Sequence, residues 1–457
     1  MMTESQRAAL AEYAAVKGQC PARERLAALF DDGVYTETGS NLRAGENLAG
    51  VVTAYGYIGG TPAYAFSQDS TVMKGAVSLA HSAKICKMFE LAARNGVPVV
   101  GIYDSCGAFV EDGADALNAY SDILLSMGSL SGVVPMVSVI SGVCAGTMAM
   151  IASSADFSVI TDGAELYLDA SGNNASAESA AKSGAVSAYA KSDAEAMDTV
   201  RRYLSLMPQN NLSPLPEFEF DAPVSAAFDN AENAAESIAD AGSILEVYGE
   251  YGTASYTALC TVSGVTAGIA ATNKTKDKLT SADCSKIARF VRLCDAYSIP
   301  VITVADTDGF DLAGADMVRA GAALAGAYAE ASCAKIALVS GKACGMAYIA
   351  FAGRNVAADA VYALPEAVIA PMDPVSAAEF LYHDKLKGAD DLAAARAQIA
   401  KEYAENEGSA FAAAAKGAAD EVVTAENVRA AVASVLDVTA GKRLNKRLPK
   451  KHNILPL

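Results

Sequence analysis

Histidine is scarce in this chain of 457 residues: His81, His383 and His452 are the only three, and they lie far apart in sequence. Too few remain for a Ser-His-Asp arrangement at each of several sites, and neither H-E-x-x-H, G-x-S-x-G nor G-x-x-x-x-G-K-[ST] occurs. The nine cysteines include no C-x-x-C pair, which removes the usual structural zinc signature, and scattered free thiols fit a reducing cytosol. Basic residues are in the minority, 35 against 53 acidic ones, for a formal charge of -18. That balance argues against nucleic acid as a partner for the body of the protein. The basic stretch Lys442 to His452 is a local exception that reads as a solvated or subunit-contacting end. The opening "MMTESQRAALAEYAAVKGQ" has no apolar h-region, so it reads as a polar helix and not as a signal peptide.

Apolar residues, by contrast, are plentiful at 52%, ample for a large core, and the length suits two or three domains. No charge occurs between Ile123 and Ala155, a run long enough to cross a bilayer. Its content points elsewhere. "GVVPMVSVISG" carries Pro135, two glycines and four valines, and "CAGTMAMIASSAD" turns to small residues. A buried strand ending at Ser-Gly, a glycine turn and a helix account for it better.

The chain also repeats itself. Residues 82–109, "SAKICKMFELAARNGVPVVGIYDSCGAF", lie without a gap over residues 284–311, "CSKIARFVRLCDAYSIPVITVADTDGFD". Lys84 and Lys286, Pro98 and Pro300, Asp104 and Asp306, and Gly107 and Gly309 all keep an offset of 202. Further on, "VISGVCAGTM" lies over "LVSGKACGMA" at an offset of 199, pairing Gly142 with Gly341 and Gly146 with Gly345. Each repeat reads as two short strands, an amphipathic helix, an apolar strand ending Asp-x-x-Gly, a small-residue helix, a second apolar strand, and a helix entered through glycine. Such alternation predicts parallel βαβ units in an α/β fold. The stretches "SGNNASAESAAKSG" and "MPQNNLSPLPEFEFDAP" read as a surface insertion and a linker, and alanine-rich acidic helices follow Asp373. Domains are placed at about 1–220 and 221–457.

With side-chain chemistry thin, the backbone is the candidate catalyst. Both repeats place a glycine turn after a buried strand and at the start of a helix, where the first N–H groups lack intrahelical partners. Glycine admits close approach of a ligand and the helix dipole adds positive potential. Two such turns, after "YDSCG" and after "SGVCAG", can converge on one oxyanion, and the second repeat offers the same pair.

Several segments resemble the carboxyltransferase subunits of biotin-dependent acyl-CoA carboxylases and decarboxylases, such as propionyl-CoA carboxylase β chains and methylmalonyl-CoA decarboxylase α chains. They include "ARERLAALFDDGVY", "GVVTAYGYIGGTPAYAFSQDSTV", "SAKICKMFELAARNGVPVVGIYDS", "KIARFVRLCDAYSIPVITVADTDGF" and the closing "KRLPKKHNILPL". The resemblance runs nearly end to end. It implies two tandem crotonase-like ββα-spiral domains, the first holding the thioester oxygen of an acyl-CoA as an enolate, the second the ureido oxygen of biotin. By position it assigns the first hole to the N–H groups of Ala108 and Thr147, framed by Gly107 and Gly146. The second falls to Phe310 and Met346, with Ala347 beside them, framed by Gly309 and Gly345. Cys106, Phe109 and the trio Lys182, Ser183 and Gly184 fall on the acyl-CoA side, and Ile349 beside Tyr348 is assigned to shaping the acyl pocket.

Departures from the family pattern accompany these assignments. Where such proteins usually carry D-S-G-G-A-R, this chain has Asp104-Ser-Cys-Gly-Ala-Phe109, and two Gly-Gly pairs become Gly146-Thr147 and Gly345-Met346. The lid-like segment before Lys182 is shortened. No biotin-attachment M-K-M exists, since "TVMKG" offers only Met73-Lys74, and no phosphate loop for ATP is visible. The resemblance therefore implies biotin on a separate carrier protein, and a biotin carboxylase or membrane decarboxylase partner at whose side the chain acts. It also implies a homo-oligomer, usually a hexamer, in which the N-terminal domain of one subunit faces the C-terminal domain of another. A biotin-independent acyl-CoA hydrolase or decarboxylase, and a non-catalytic scaffold subunit, are the alternatives.

Overall fold

A computed structural model describes residues 2–169, 175–224, 226–273, 278–311, 316–354 and 356–442. His452, most of the basic tail and the first part of the Asn/Ser-rich insertion lie outside the described residues. The chain forms two compact units, Met1–Pro214 and Leu215–Leu457.

The first unit opens with helices α1 (Glu4–Ala15) and α2 (Pro21–Leu29). Its strands are β1 (Tyr35–Thr38), the small hairpin β2 (Arg43–Ala44) and β3 (Asn47–Leu48), β4 (Val51–Ile58), β5 (Thr61–Gln68), β6 (Val99–Ser105), β7 (Met136–Ala145), β8 (Phe157–Thr161), β9 (Glu165–Tyr167) and β10 (Ala188–Ala190). Helices α3 (Leu79–Asn95), α4 (Asp115–Leu130), α5 (Thr147–Ser153), α6 (Ala177–Lys182) and α7 (Asp193–Leu206) complete it. The main sheet runs β1-β4-β5-β6-β7-β8-β10, antiparallel over β1, β4 and β5 and parallel from β5 onward. Local chemistry fixes the helix ends. The Ser78 hydroxyl accepts the His81 N–H at 3.2 Å to start α3, and Gly96 at φ +62° stops it.

The second unit repeats the plan with β11 (Leu245–Glu246), β12 (Ser255–Val262), β13 (Val265–Thr272), β14 (Val301–Ala305), β15 (Lys335–Val339), β16 (Lys342–Cys344), β17 (Ala360–Ala363), β18 (Val368–Ala370) and β19 (Glu421–Val422). Helices α8 (Ala231–Ile238), α9 (Ser281–Ala296), α10 (Met317–Glu330) and α11 (Met346–Ala352) occur in the same order. They are followed by α12 (Pro374–Leu381), α13 (His383–Leu386), α14 (Leu392–Glu405), α15 (Ala410–Ala415) and α16 (Ala425–Thr439). The sheet runs β11-β12-β13-β14-β15-β17-β19, strand for strand the order of the first. Each unit has its own core, one around Phe66, Ile85, Ile140 and Ile151, the other around Ile269, Ile302, Leu338 and Val432.

One sequence expectation needs correction. The apolar strand does not stop at Ser141-Gly142: β7 runs on to Ala145, and its last residues leave β8 to pair with β9. In the second unit the same excursion is a separate strand, β16, paired with β18. Small residues there suit a turn by sequence pattern, but in the fold they permit a change of sheet partner. The uncharged run Ile123–Ala155 is thus the end of α4, β7 and α5, and no helix among the described residues is long and apolar enough to cross a membrane.

Candidate active site

The first candidate hole is built where β6 and β7 end side by side, with Ser105 opposite Cys144. After β6 the Gly107 N–H folds back onto the Ser105 hydroxyl at 3.2 Å, and Gly107 takes φ +115°. The loop before α3 then pairs with the turn. Val77 donates to the Gly107 carbonyl at 2.9 Å and accepts from the Phe109 N–H at 3.0 Å. Because successive groups of an extended chain point to opposite sides, this bridge turns the Ala108 N–H away from Val77. It has no acceptor among the described residues, and Ala108 is exposed. Gly146, at φ +66°, spends its own N–H on the Tyr167 carbonyl at 2.9 Å and caps α5, so Thr147 heads the helix with its N–H unspent. The two turns are neighbours: a Cβ on Gly107 would sit 3.9 Å from the Ala145 carbonyl oxygen.

The second hole is assembled bond for bond the same way. Gly309, at φ +99°, donates to the Thr307 hydroxyl at 3.1 Å, Leu279 donates to the Gly309 carbonyl at 3.0 Å, and Asp311 donates back to Leu279 at 2.8 Å. The Phe310 N–H is thereby left without an acceptor among the described residues. Gly345 at φ +55° gives its N–H to the Ala370 carbonyl at 2.9 Å and starts α11, with Met346 and Ala347 at its head. Thr307 donates to the Lys342 carbonyl at 2.8 Å, and the Phe310 ring stacks on Phe351 of α11 with centroids 6.3 Å apart, which ties the two turns together.

Carboxylates brace both turns from beneath. A Cβ on Gly142 would lie 2.3 Å from Asp104 Oδ1, and one on Gly341 would lie 2.3 Å from Asp306, so only glycine leaves each carboxylate its place. Asp104 receives Arg25 of α2 at 2.9 Å and the Ser70 hydroxyl at 2.8 Å. Arg25 also donates to the Ser141 carbonyl at 2.8 Å, strapping β6 to β7. Asp306 accepts the Lys342 N–H at 2.8 Å, while the Lys342 ammonium pairs with Asp308 at 3.0 Å and with Asp373. Partial burial works against the charge on Lys342, but the hydrogen bonds to Asp373 and Asp308 prevail and hold its pKa above the ordinary value.

The remaining sequence-assigned residues divide. Cys106 is exposed at the first turn, with its N–H on the Lys74 carbonyl at 3.1 Å, so the "TVMKG" loop supports that turn through its backbone. Phe109 is half-buried and precedes a short turn whose Asp112 carboxylate caps α3 through the Leu79 N–H at 3.1 Å. Lys182, Ser183 and Gly184 finish α6. The Lys182 ammonium pairs with Glu178, Gly184 takes φ +72°, and the Ala185 N–H closes on the Ala180 carbonyl at 3.0 Å. Ile349 and Met346 are exposed on α11, while the Tyr348 hydroxyl donates to the Ala418 carbonyl at 2.7 Å. Sequence reasoning missed Arg25, which lies in the quoted "ARERLAALFDDGVY" but whose partner Asp104 is 79 residues away.

The family model of the carboxyl transferase domain matches residues 14–455. The methylmalonyl-CoA decarboxylase subunit alpha of Propionigenium modestum is 33% identical over 96% of this chain and 94% of its own length. The propionyl-CoA carboxylase beta chain of Cereibacter sphaeroides is 31% identical, again over 96% and 94%. Among solved structures, a transcarboxylase 12S crystal structure, described with its hexamer assembly and with methylmalonyl-coenzyme A and methylmalonic acid bound, superposes with a TM-score of 0.91 at 31% identity. It covers 100% of this chain and 99% of that one.

Proposed function

The chain belongs to the carboxyl transferase domain family, and from that premise we propose that it moves a carboxyl group between carrier-bound biotin and a short acyl-CoA of the propionyl/methylmalonyl type. The observation that carries this reading is the pair of turns in each unit whose N–H groups, Ala108 with Thr147 and Phe310 with Met346, are left unspent by the fold. Donors fixed before the reaction stabilise charge that develops in the transition state and need no reorganisation when it appears. The transfer passes through two oxyanions, the enolate of the acyl thioester and the deprotonated ureido oxygen of biotin. Two prebuilt holes on a duplicated chain match that requirement. The first unit is assigned to the acyl-CoA and the second to biotin. Neither oxyanion needs a titrating side chain, which agrees with the scarcity of histidine.

The biotin reaches the site on a separate carrier protein, in a multienzyme complex with a biotin carboxylase or a membrane decarboxylase subunit. The chain itself acts as an oligomer, a hexamer by analogy with the 12S neighbour. The direct test is purified protein with methylmalonyl-CoA and free biotin as acceptor, following propionyl-CoA by chromatography. Biotin-dependent propionyl-CoA supports the reading. Propionyl-CoA formed at the same rate without biotin would establish a biotin-independent decarboxylase instead, and none under either condition would establish a scaffold subunit.

A further inference from the structure

The second repeat carries an ion pair at two positions where the first has no charge. At the offset of 199 Lys342 stands opposite Val143, and at the offset of 202 Asp308 stands opposite Cys106, so the first unit cannot form the same pair. The strands differ as well. β6 stays in the sheet through Ser105, but β14 ends at Ala305, two residues short of Thr307, the counterpart of Ser105. Asp306, Thr307 and Asp308 therefore lead to Gly309 and Phe310 outside the strand, and other contacts have to hold them.

Lys342 binds all three. Its main-chain N–H goes to the Asp306 carboxylate at 2.8 Å, its carbonyl accepts the Thr307 N–H at 2.8 Å, and its ammonium donates to the Asp308 carboxylate at 3.0 Å. The same ammonium pairs with Asp373, whose carboxylate caps α12 through the Val375 N–H at 2.9 Å. Just before Asp373 lies the support of the other turn. There the Ala370 carbonyl accepts the Gly345 N–H at 2.9 Å, and a Cβ on Gly345 would stand 3.1 Å from the Pro371 carbonyl oxygen. One ammonium thus joins the turn that presents the Phe310 N–H to the segment on which the turn presenting the Met346 N–H rests. Asp308 is exposed, and a pair wetted on one side adds little to global stability, so the effect of this bridge is local.

We propose that Lys342 is a positioning residue of the second hole, its ammonium clasping Asp308 to Asp373 so that the Phe310 and Met346 N–H groups stay converged on one oxygen, the ureido oxygen of biotin. The proposal rests on the carboxyltransferase reading and deepens it. Both acceptors of the ammonium belong to the protein, so Lys342 acts through the main-chain donors and not on the substrate. Its removal would leave the Asp308 and Asp373 carboxylates uncompensated, and their repulsion would draw the Phe310 turn away from the segment that supports Gly345. The first hole works without such a clasp because β6 carries its turn in the sheet as far as Ser105.

The experiment compares Lys342→Met, Asp308→Ala and the double variant with the wild type in the full chain, assayed with methylmalonyl-CoA and free biotin. A misplacement of about 1 Å can cost on the order of 100-fold, so each single variant is expected to lower kcat by on the order of 10-fold to 100-fold. The KM for methylmalonyl-CoA, assigned to the first unit, and the urea midpoint should stay close to those of the wild type. The double variant should fall no further than Lys342→Met, because both changes remove one contact, and Lys342→Arg should recover most of the turnover. Asp308→Ala at the wild-type rate, or losses that multiply in the double variant, would overturn the clasp. Amide hydrogen exchange over residues 306–311 reads the same geometry without catalysis. There the bonded N–H groups of Thr307 and Gly309 should exchange faster in Lys342→Met, and unchanged exchange overturns the proposal even if the rates fall. If the wild type itself transfers nothing, the carboxyltransferase reading fails separately, and the exchange measurement still decides whether Lys342 holds the turn.

Discussion

After β6 the bracing carboxylate, Asp104, is gripped by an arginine from α2 and by the Ser70 hydroxyl. After β14 its counterpart Asp306 takes a main-chain N–H from Lys342, whose ammonium is committed outward to Asp308 and Asp373. The main-chain bonds around Gly107 and Gly309 are nevertheless superimposable in kind, down to the hydroxyl two residues earlier that accepts the glycine N–H, Ser105 in one and Thr307 in the other. The comparison teaches which part of the duplicated plan is fixed. Strand ends, positive-φ glycines and unspent N–H groups are held in common, and the side chains around them differ.

If the backbone is the shared catalyst, deleting an N–H should be equally damaging in both units. Thr147→Pro and Met346→Pro are each expected to slow transfer by about 100-fold to 1000-fold, roughly 3 to 4 kcal/mol. Proline is tolerated in the first turn of a helix, so circular dichroism and oligomer mass should stay unchanged. Thr147→Gly and Met346→Gly keep the donor and should preserve turnover. The symmetry breaks if Thr147→Gly abolishes transfer while Thr147→Ser retains it, for then the hydroxyl and not the amide serves the first hole.

The side-chain braces should behave unequally. Arg25 and Asp104 are about 14% and 13% exposed, so Arg25→Met strands a largely buried carboxylate and is expected to cost about 3 kcal/mol. Lys342 pairs with partners at 57% and 38% exposure, and Lys342→Met should cost about 1 kcal/mol or less. Urea unfolding of the two variants measures the difference, and equal costs would show that the two braces are equivalent after all.

The smallest effect concerns the equivalent buried lysines. The Lys84 ammonium donates to the Val51 carbonyl at 2.5 Å and that of Lys286 to the Ser255 carbonyl at 2.8 Å. Burial lowers the pKa of both to about 8. In the unfolded chain a lysine titrates near ~10.4, so between about pH 8 and 10.4 the unfolded state binds more protons and this contribution to stability rises with pH. Below pH 8 both states are protonated and the contribution is flat. Lys84→Met and Lys286→Met should each flatten the rise of the urea midpoint between pH 8 and 10 relative to wild type, and by similar amounts. Unchanged slopes would mean that neither lysine titrates as its burial requires.

The duplication was legible because it is written in punctuation. Lys84 with Lys286, Asp104 with Asp306 and Gly142 with Gly341 keep their spacing, and each has a steric or electrostatic reason to do so. The turns at Gly107, Gly146, Gly309 and Gly345 were equally legible, since positive φ after an apolar strand asks for glycine. What pattern reasoning could not reach were contacts formed across long loops. Arg25 with Asp104, 79 residues apart in sequence, is one. The run of β7 beyond Gly142 escaped for a related reason, because its partner β9 lies some 20 residues downstream.

The interlock of Gly142 with Asp104 also sets an order on sequence change. With a carboxylate 2.3 Å from where a Cβ would stand, no larger residue can enter at position 142 until position 104 has shrunk, and the same holds for Gly341 and Asp306. Shrinking Asp104 alone strands Arg25, whose other ties run to the Ser141 carbonyl and to Asp193. A drifting gene therefore meets a valley whichever step it takes first, and a library randomised at 104 and 142 together should recover functional pairs that successive single changes never reach.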